Sequence, residues 1–388
     1  MITATVKHND NYADIEFPCS EAYLSAKLME IHVDDLSSIT HYISAITEPK
    51  ELSFLKDRLV NLDELNYLAK RMDSFFGDEE TQFFEAIKLE HFTEMKDLIN
   101  LTFNLDKYTL IKDVSDMGKV GREYLLNTEG CIPAHDEDNP KYAQIGRELL
   151  RSGRGIFTEH GLLFPDQNRP FEELYNGKTF PAYIYNQCLF VGEIEYEGQT
   201  EFIYLPDDER AIQKAFRRLG AETPENCSVI LTDSCSEHNK VFELFKDILN
   251  NEGIYKANSL AQTVKTFVNP QDLKKLSAVL EYADVSDSES IAALAENLDT
   301  FGYAQEINDY ADLGRWWIDN HDELQLSIEL EDYFDYNQFG SDIHEEYSGT
   351  FLANENSGYV YIKYGRSLQD ILDLSLIHIS EPTRPLYI

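Results

Sequence analysis

The side chains in this chain that could do chemistry are carboxylates. Between Glu281 and Glu346 there are 19 acids and one base, Arg315. The densest stretch, YFDYNQFGSDIHEEYSGTF (Tyr333–Phe351), carries Asp335, Asp342, Glu345 and Glu346, with Asp332 just before it and no Lys or Arg. Clustered carboxylates can serve proton transfer or cation binding. The spacing of Asp332, Asp335 and Asp342 does not fit the D-x-[DN]-x-[DN]-G loop of an EF-hand, however. CIPAHDEDNP (Cys131–Pro140) brings Cys131, His135, Asp136 and Asp138 together. It lacks the second ligand pair of a zinc site and reads as an acidic loop. The ten His are scattered, and no HExxH, GxSxG, Walker A or GxGxxG motif occurs. GRELLRSGRG (Gly146–Gly155) is rich in Gly and Arg but reads as a plain turn. No catalytic residue, metal or cofactor is expected. What unpaired acids on a rigid frame can do is imitate phosphates. B-DNA carries one charge per ~1.7 Å of axis, so a net charge of -38 corresponds to about 65 Å of duplex.

Two successive elements must hold these acids. In EINDYADLGRWWIDN (Glu306–Asn320), Ile307, Tyr310, Gly314, Trp317 and Ile318 form one helical stripe for burial, which leaves Asp309, Asp312 and Asp319 off it. In DELQLSIELEDYFDYNQFGSDI (Asp322–Ile343), Ile328, Tyr333 and Phe339 are expected to face a core. Asp322, Glu323, Glu329, Glu331, Asp332, Asp335, Asp342 and then Glu345 and Glu346 lie around them. Opposite charges at i, i+4 normally support helices, and that support is missing here. The aromatics between the acids, Tyr333, Tyr336 and Phe339 with Gly340, are read as the core that fixes the acids in place.

The wider composition agrees with a folded protein of this kind. The chain has 388 residues, 43% hydrophobic, with 23 Tyr and 22 Phe. That is enough apolar material for two or three domains and argues against disorder. Such net charge disfavours binding to nucleic acid or acidic membranes and points to a basic partner. Five Cys without a CxxC pair, no basic-apolar leader and no apolar run of membrane length lead to the expectation of a soluble cytoplasmic protein. The last residues, LSLIHISEPTRPLYI (374–388), resemble an in-frame translation of a sequencing adapter and are set aside.

The chain also resembles itself. SDMGKVGREYL (Ser115–Leu125) matches NDYADLGRWWI (Asn308–Ile318), and YAQIGRE (Tyr142–Glu148) matches YNQFGSD (Tyr336–Asp342). Phe157 falls on Phe351, and IEFPCSEAYLSAKLMEI (Ile15–Ile31) matches IYLPDDERAIQKAFRRL (Ile203–Leu219). Two diverged copies follow, at 1–168 and 182–365, with a Pro- and Gly-containing linker at 169–181. Each copy is read as α+β, with small strand-containing ends around a helical centre, and the whole is expected to be elongated. The second copy begins with a strand pair turning at Glu197-Gly198. A helix follows from the cap Pro206-Asp207-Asp208 to Gly220, then the strand SVILTD and several helices.

At this point the residues resemble a known family. YADLGRWWIDN, LEDYFDYNQFGSDI and the SGTF that follows resemble the second half of the ArdA antirestriction proteins, over residues 182–363 and more weakly over 1–168. Leu330, Tyr333, Asp335, Tyr336, Phe339, Gly340, Asp342, Ile343 and Ser348 to Phe351 fit the family pattern. The resemblance implies a non-catalytic DNA mimic, encoded on a mobile element, that occupies the DNA-binding groove of type I restriction-modification enzymes. It also implies pairing, either as an internal pseudo-dimer with Tyr142–Arg147 and Tyr336–Ser341 near the shared surface or as a homodimer. The first copy departs from the pattern: Lys141 stands at the Asp335 position, and Arg147, Arg151 and Arg154 follow. Two other readings remain: an acidic adaptor for another basic protein of a mobile element or its host, and a metal-dependent enzyme without a recognised motif.

Overall fold

The computed structural model describes residues 1–33, 39–132, 140–153, 155–234, 239–265, 270–321, 326, 328–331 and 333–379. They divide into two units, Met1–Tyr185 and Asn186–Ile388.

In the first unit, β1 (Ile2–His8) and β2 (Asn11–Phe17) form a hairpin, α1 (Glu21–Glu30) follows, and β3 (Thr40–Glu48) and β4 (Arg58–Asn61) complete a sheet of order β2-β1-β3-β4. The alternation of buried Ile2, Ala4 and Val6 with outward residues along β1 turns one sheet face to the core. The helices α2 (Leu62–Asp73), α3 (Glu79–Glu90) and α4 (Met95–Leu101) supply the rest of that core, with Leu65, Leu68, Phe83 and Leu98 fully enclosed. β5 (Tyr108–Ile111), α5 (Met117–Glu129), α6 (Pro140–Ser152), β6 (Ile156–Thr158) and β7 (Gly161–Pro165) then build a second sheet, of order β5-β7-β6.

The second unit runs β8 (Phe190–Tyr196), β9 (Gln199–Leu205), α7 (Glu209–Leu219) and β10 (Ser228–Ser234), then α8 (Asn239–Glu252), α9 (Ile254–Lys265), α10 (Pro270–Ala283) and α11 (Ser288–Glu296). It closes with β11 (Phe301–Gln305), α12 (Tyr310–Asn320), α13 (Ile328–Glu331), α14 (Tyr336–Tyr347), β12 (Thr350–Leu352), β13 (Gly358–Ile362) and α15 (Leu368–Ile379). Its sheets have the orders β10-β8-β9 and β11-β13-β12. The α+β expectation holds. The turn at Glu197-Gly198 has positive φ at both residues, as a two-residue hairpin requires. Asp208 caps α7, and Gly220 ends it in the left-handed conformation. Strand β11 lies where only helices were expected.

Order and spacing recur between the units. Ile2 and Phe190, Asn11 and Gln199, Glu21 and Glu209, and Thr40 and Ser228 open matching elements, each pair 188 residues apart. A buried asparagine clamps the residue after a proline in each unit. Asn66 accepts from Cys19 N at 2.9 Å and donates to its carbonyl at 2.9 Å; Asn258 does the same to Asp207, both at 2.9 Å.

The segment expected as a linker carries neither helix nor strand, yet it is tied to the first unit as far as Tyr185. Asn104 bonds both backbone groups of Glu172 (2.8 and 2.9 Å), and Asn100 bonds both of Tyr175 (2.7 and 2.9 Å). Tyr175 is buried, and its hydroxyl donates to Glu64 at 2.7 Å. Phe180 stacks on Tyr67, 4.6 Å between centroids. Tyr183 and Tyr185 bond Lys70 O and Asp73. This strap buries aromatic area that a free linker would leave in water, which sequence punctuation alone does not reveal.

Candidate partner-binding surface

The acid-rich part of the second unit is a pair of crossed helices over a three-stranded sheet. Both helices start on one of the acids: Asp309 accepts from Asp312 N at 2.8 Å to cap α12, and Asp335 accepts from Gln338 N at 3.0 Å to cap α14. A carboxylate at a helix N-terminus satisfies free amides and meets the positive end of the helix dipole. Where the helices cross there is no room for a side chain. A Cβ on Gly340 would sit on the Tyr310 carbonyl oxygen, and one on Gly314 would sit on that of Tyr336. The same arrangement holds α5 against α6 in the first unit, where Gly121 meets the Tyr142 carbonyl and Gly146 that of Met117.

Beneath the helices lies an aromatic layer. Trp317 packs on Tyr361 (5.1 Å) and Tyr347 (4.8 Å), Tyr310 on Phe351 (5.4 Å) and His344 (5.3 Å), and Phe351 on Tyr359 (4.8 Å). Burial pushes the Tyr359 and Tyr361 hydroxyls up to about 12, so both stay neutral. The Tyr359 hydroxyl receives the Gly349 amide at 3.0 Å. Aromatics threaded among acids thus serve the layer under them, which fixes the helices.

The acids face the other way. Asp309, Asp319, Glu331, Asp335, Asp342, Glu345 and Glu346 are exposed, and Asp312 is half-buried. Among the described residues from 306 to 347 the one ion pair is Arg315–Asp312 at 3.7 Å, between exposed side chains where such pairs contribute little. Arg315 also lies over the Tyr336 ring at 5.1 Å. Asp342 accepts from the Gln338 amide at 2.9 Å. Asp322, Glu323 and Asp332 lie outside the described residues, as does the side chain of Glu329.

Gly340 is buried, and Tyr336 and Phe339 are half-buried, as a fixing core requires. Tyr333 is not: it is 86% exposed, against the expectation that it would face the core. Helix α13 runs only over Ile328–Glu331, and the Tyr333 amide bonds Leu330 O at 3.0 Å in a turn, so the helical phase is lost. Phe334 takes the inward place, 5.1 Å from Tyr336 and 5.4 Å from Phe339. Leu313, fully buried on α12, was missed because it flanks the expected stripe. In the first unit Arg147 and Arg151 are exposed on α6, and Arg154 lies outside the described residues. No group of His, Cys, Asp and Glu among the described residues could hold a metal ion, and no helix among them is long and apolar enough to cross a membrane.

The site is thus an α+β unit that presents acid-faced helices packed glycine against glycine over an aromatic layer. The family model described as Antirestriction protein (ArdA) matches residues 197–361, so this part of the chain is ArdA-like. No curated protein matches the chain.

Proposed function

We propose that the protein is an antirestriction protein that mimics B-DNA and enters the DNA-binding groove of a type I restriction-modification enzyme in the bacterial cytoplasm. The observation that carries this reading is the outward face of α12 and α14, where carboxylates stand unneutralised on a frame locked by Gly314 and Gly340. A binding groove lined with Lys and Arg gains from every such charge it meets, as it gains from phosphates. The mimic needs neither cofactor nor turnover. The recurrence of element order, asparagine clamps and glycine crossings supports descent of both units from one ArdA-like ancestor. The first, with its arginines on α6, serves as scaffold or meets a different partner. Pairing of units, within a chain or between two chains, extends the acid array; light scattering on the full chain at micromolar concentration distinguishes the two.

The test is a titration of a purified type I enzyme cutting unmodified DNA. Protection is expected at near-stoichiometric inhibitor, unchanged by EDTA treatment of the inhibitor, relieved by excess duplex and weakened steeply by salt. Substoichiometric, time-dependent inactivation overturns the reading. Binding of a basic protein without competition from duplex DNA favours the acidic-adaptor alternative.

A further inference from the structure

The two sheets that open the units differ at one edge. In the first unit β3 is covered by β4, in the register Thr40 opposite Asn61, His41 opposite Val60, Tyr42 opposite Leu59 and Ile43 opposite Arg58. Val60 and His41 are thereby buried. The matching strand of the second unit is β10, where Ser228, Val229, Ile230 and Leu231 stand in those places. Among the described residues nothing pairs with its outer edge. Val229, in the place of buried His41, is only half-buried, and Ile230 is 55% exposed. An open edge offers a row of backbone donors and acceptors to an incoming strand.

We propose that the outer edge of β10 is a docking site for an extended, basic segment of a protein partner, which adds to the sheet antiparallel as β4 does in the first unit. The charges around the edge select the occupant. On the outward face Glu193 lies opposite Ile230 and Glu195 opposite Ser228, and Asp233 follows on β10 itself. A second copy of this chain would set a like-charged edge, with its own Asp233, against this one, whereas a basic segment is attracted to it. A segment with an apolar residue opposite Val229 and Lys or Arg opposite Ser228 and Ile230 covers Val229 and extends its basic side chains over the outward face towards Glu195 and Glu193, one strand further in. Main-chain bonds supply affinity and the alternate side chains supply specificity. The proposal needs an open edge, not the acid array of α12 and α14, and stands apart from DNA mimicry.

The test uses the full chain and a fluorescent peptide of alternating Lys and Val, seven residues long. Its control is the same peptide with the central Val replaced by Pro, which keeps the charge but cannot complete a ladder. Hydrogen exchange at 228–234 is expected to slow about tenfold with the Val peptide and to stay unchanged with the Pro peptide. Ile230→Lys, an exposed change that leaves the core alone, is expected to weaken the Val peptide about tenfold. Equal binding of both peptides, or protection only outside 228–234, overturns the proposal in favour of general capture by acids. A chain dimer abolished by Ile230→Lys overturns it in favour of a second copy.

Discussion

Gly314 and Gly340 meet backbone to backbone: a Cβ built on Gly340 would lie 3.0 Å from Gly314 N, and one on Gly314 would lie 3.2 Å from Gly340 N. The acids of α12 and α14 are held on one frame only because neither helix carries a side chain at that point. A glycine inside a helix costs about 1 kcal/mol relative to alanine. The chain carries that cost at Gly121, Gly146, Gly314 and Gly340, two per helix pair.

Gly340→Ala is therefore expected to destabilise the second unit by about 3 kcal/mol or more, despite alanine's better helix propensity. The obstructing atom is a backbone carbonyl, Tyr310 O, which no rotamer change can clear. Urea unfolding followed by Trp fluorescence reads this, since Trp316 and Trp317 both lie on α12. Gly146→Ala is expected to leave that Trp signal unchanged, because its obstruction, at Met117 O, is in the first unit. A fully stable, fully inhibitory Gly340→Ala variant would show that the close crossing is dispensable.

The exposed acids are expected to act together. Asp335→Asn keeps the α14 cap, because an Asn side chain accepts the Gln338 amide as Asp does. It removes one screened charge, so inhibition should change less than about threefold. Neutralising Asp319, Glu331, Asp335, Asp342, Glu345 and Glu346 together should abolish inhibition, with circular dichroism and melting unchanged. If Asp335→Asn alone abolishes inhibition in a folded protein, a specific site replaces the distributed field.

Much of this was legible in the sequence, and the exceptions have physical causes. The helix carrying Asp312 and Asp319 shows its stripe, and the matched Gly-Arg at Gly121 and Gly314 revealed the repeat. What these glycines are for was not readable, because a close crossing depends on two helices far apart in the chain. The tyrosine at 333 was misplaced because a periodic pattern continues on paper through the turn in which the Tyr333 amide bonds Leu330 O. The strap from Glu172 to Tyr185 looked like a linker because its anchors, Asn100, Asn104 and Tyr67, lie about seventy or more residues earlier.

Glu64 gives the strap a pH signature. Burial raises its carboxyl above the usual 4.5, opposed in part by the hydrogen bond from Tyr175. The folded state therefore holds this proton more tightly than the unfolded chain does. The cost of the buried charge is absent below about pH 4.5 and grows as pH rises through the raised value. Glu64→Gln still accepts the Tyr175 hydroxyl but carries no charge. Its stability relative to the parent is expected to rise between pH 4.5 and 7, measured by urea unfolding of the first unit within the full chain. A constant difference across that range would show that the carboxyl is not desolvated.

The strap itself is expected to be part of the first unit's fold. Asn100→Ala removes the two bonds to the backbone of Tyr175, at a cost of about 3 kcal/mol. Asn100→Asp keeps the acceptor for Tyr175 N but cannot donate to Tyr175 O, and should fall between the parent and the alanine variant. In both, Tyr67 and Phe180 lose the anchor that holds their stacked rings together, so protease cleavage after Tyr175 or Tyr183 should appear before the second unit is cut. Limited chymotrypsin digestion with mass spectrometry reads the order of cleavage. If the parent chain is cut between 171 and 185 as fast as the Asn100→Ala variant, the segment behaves as a free linker and the strap has no structural role.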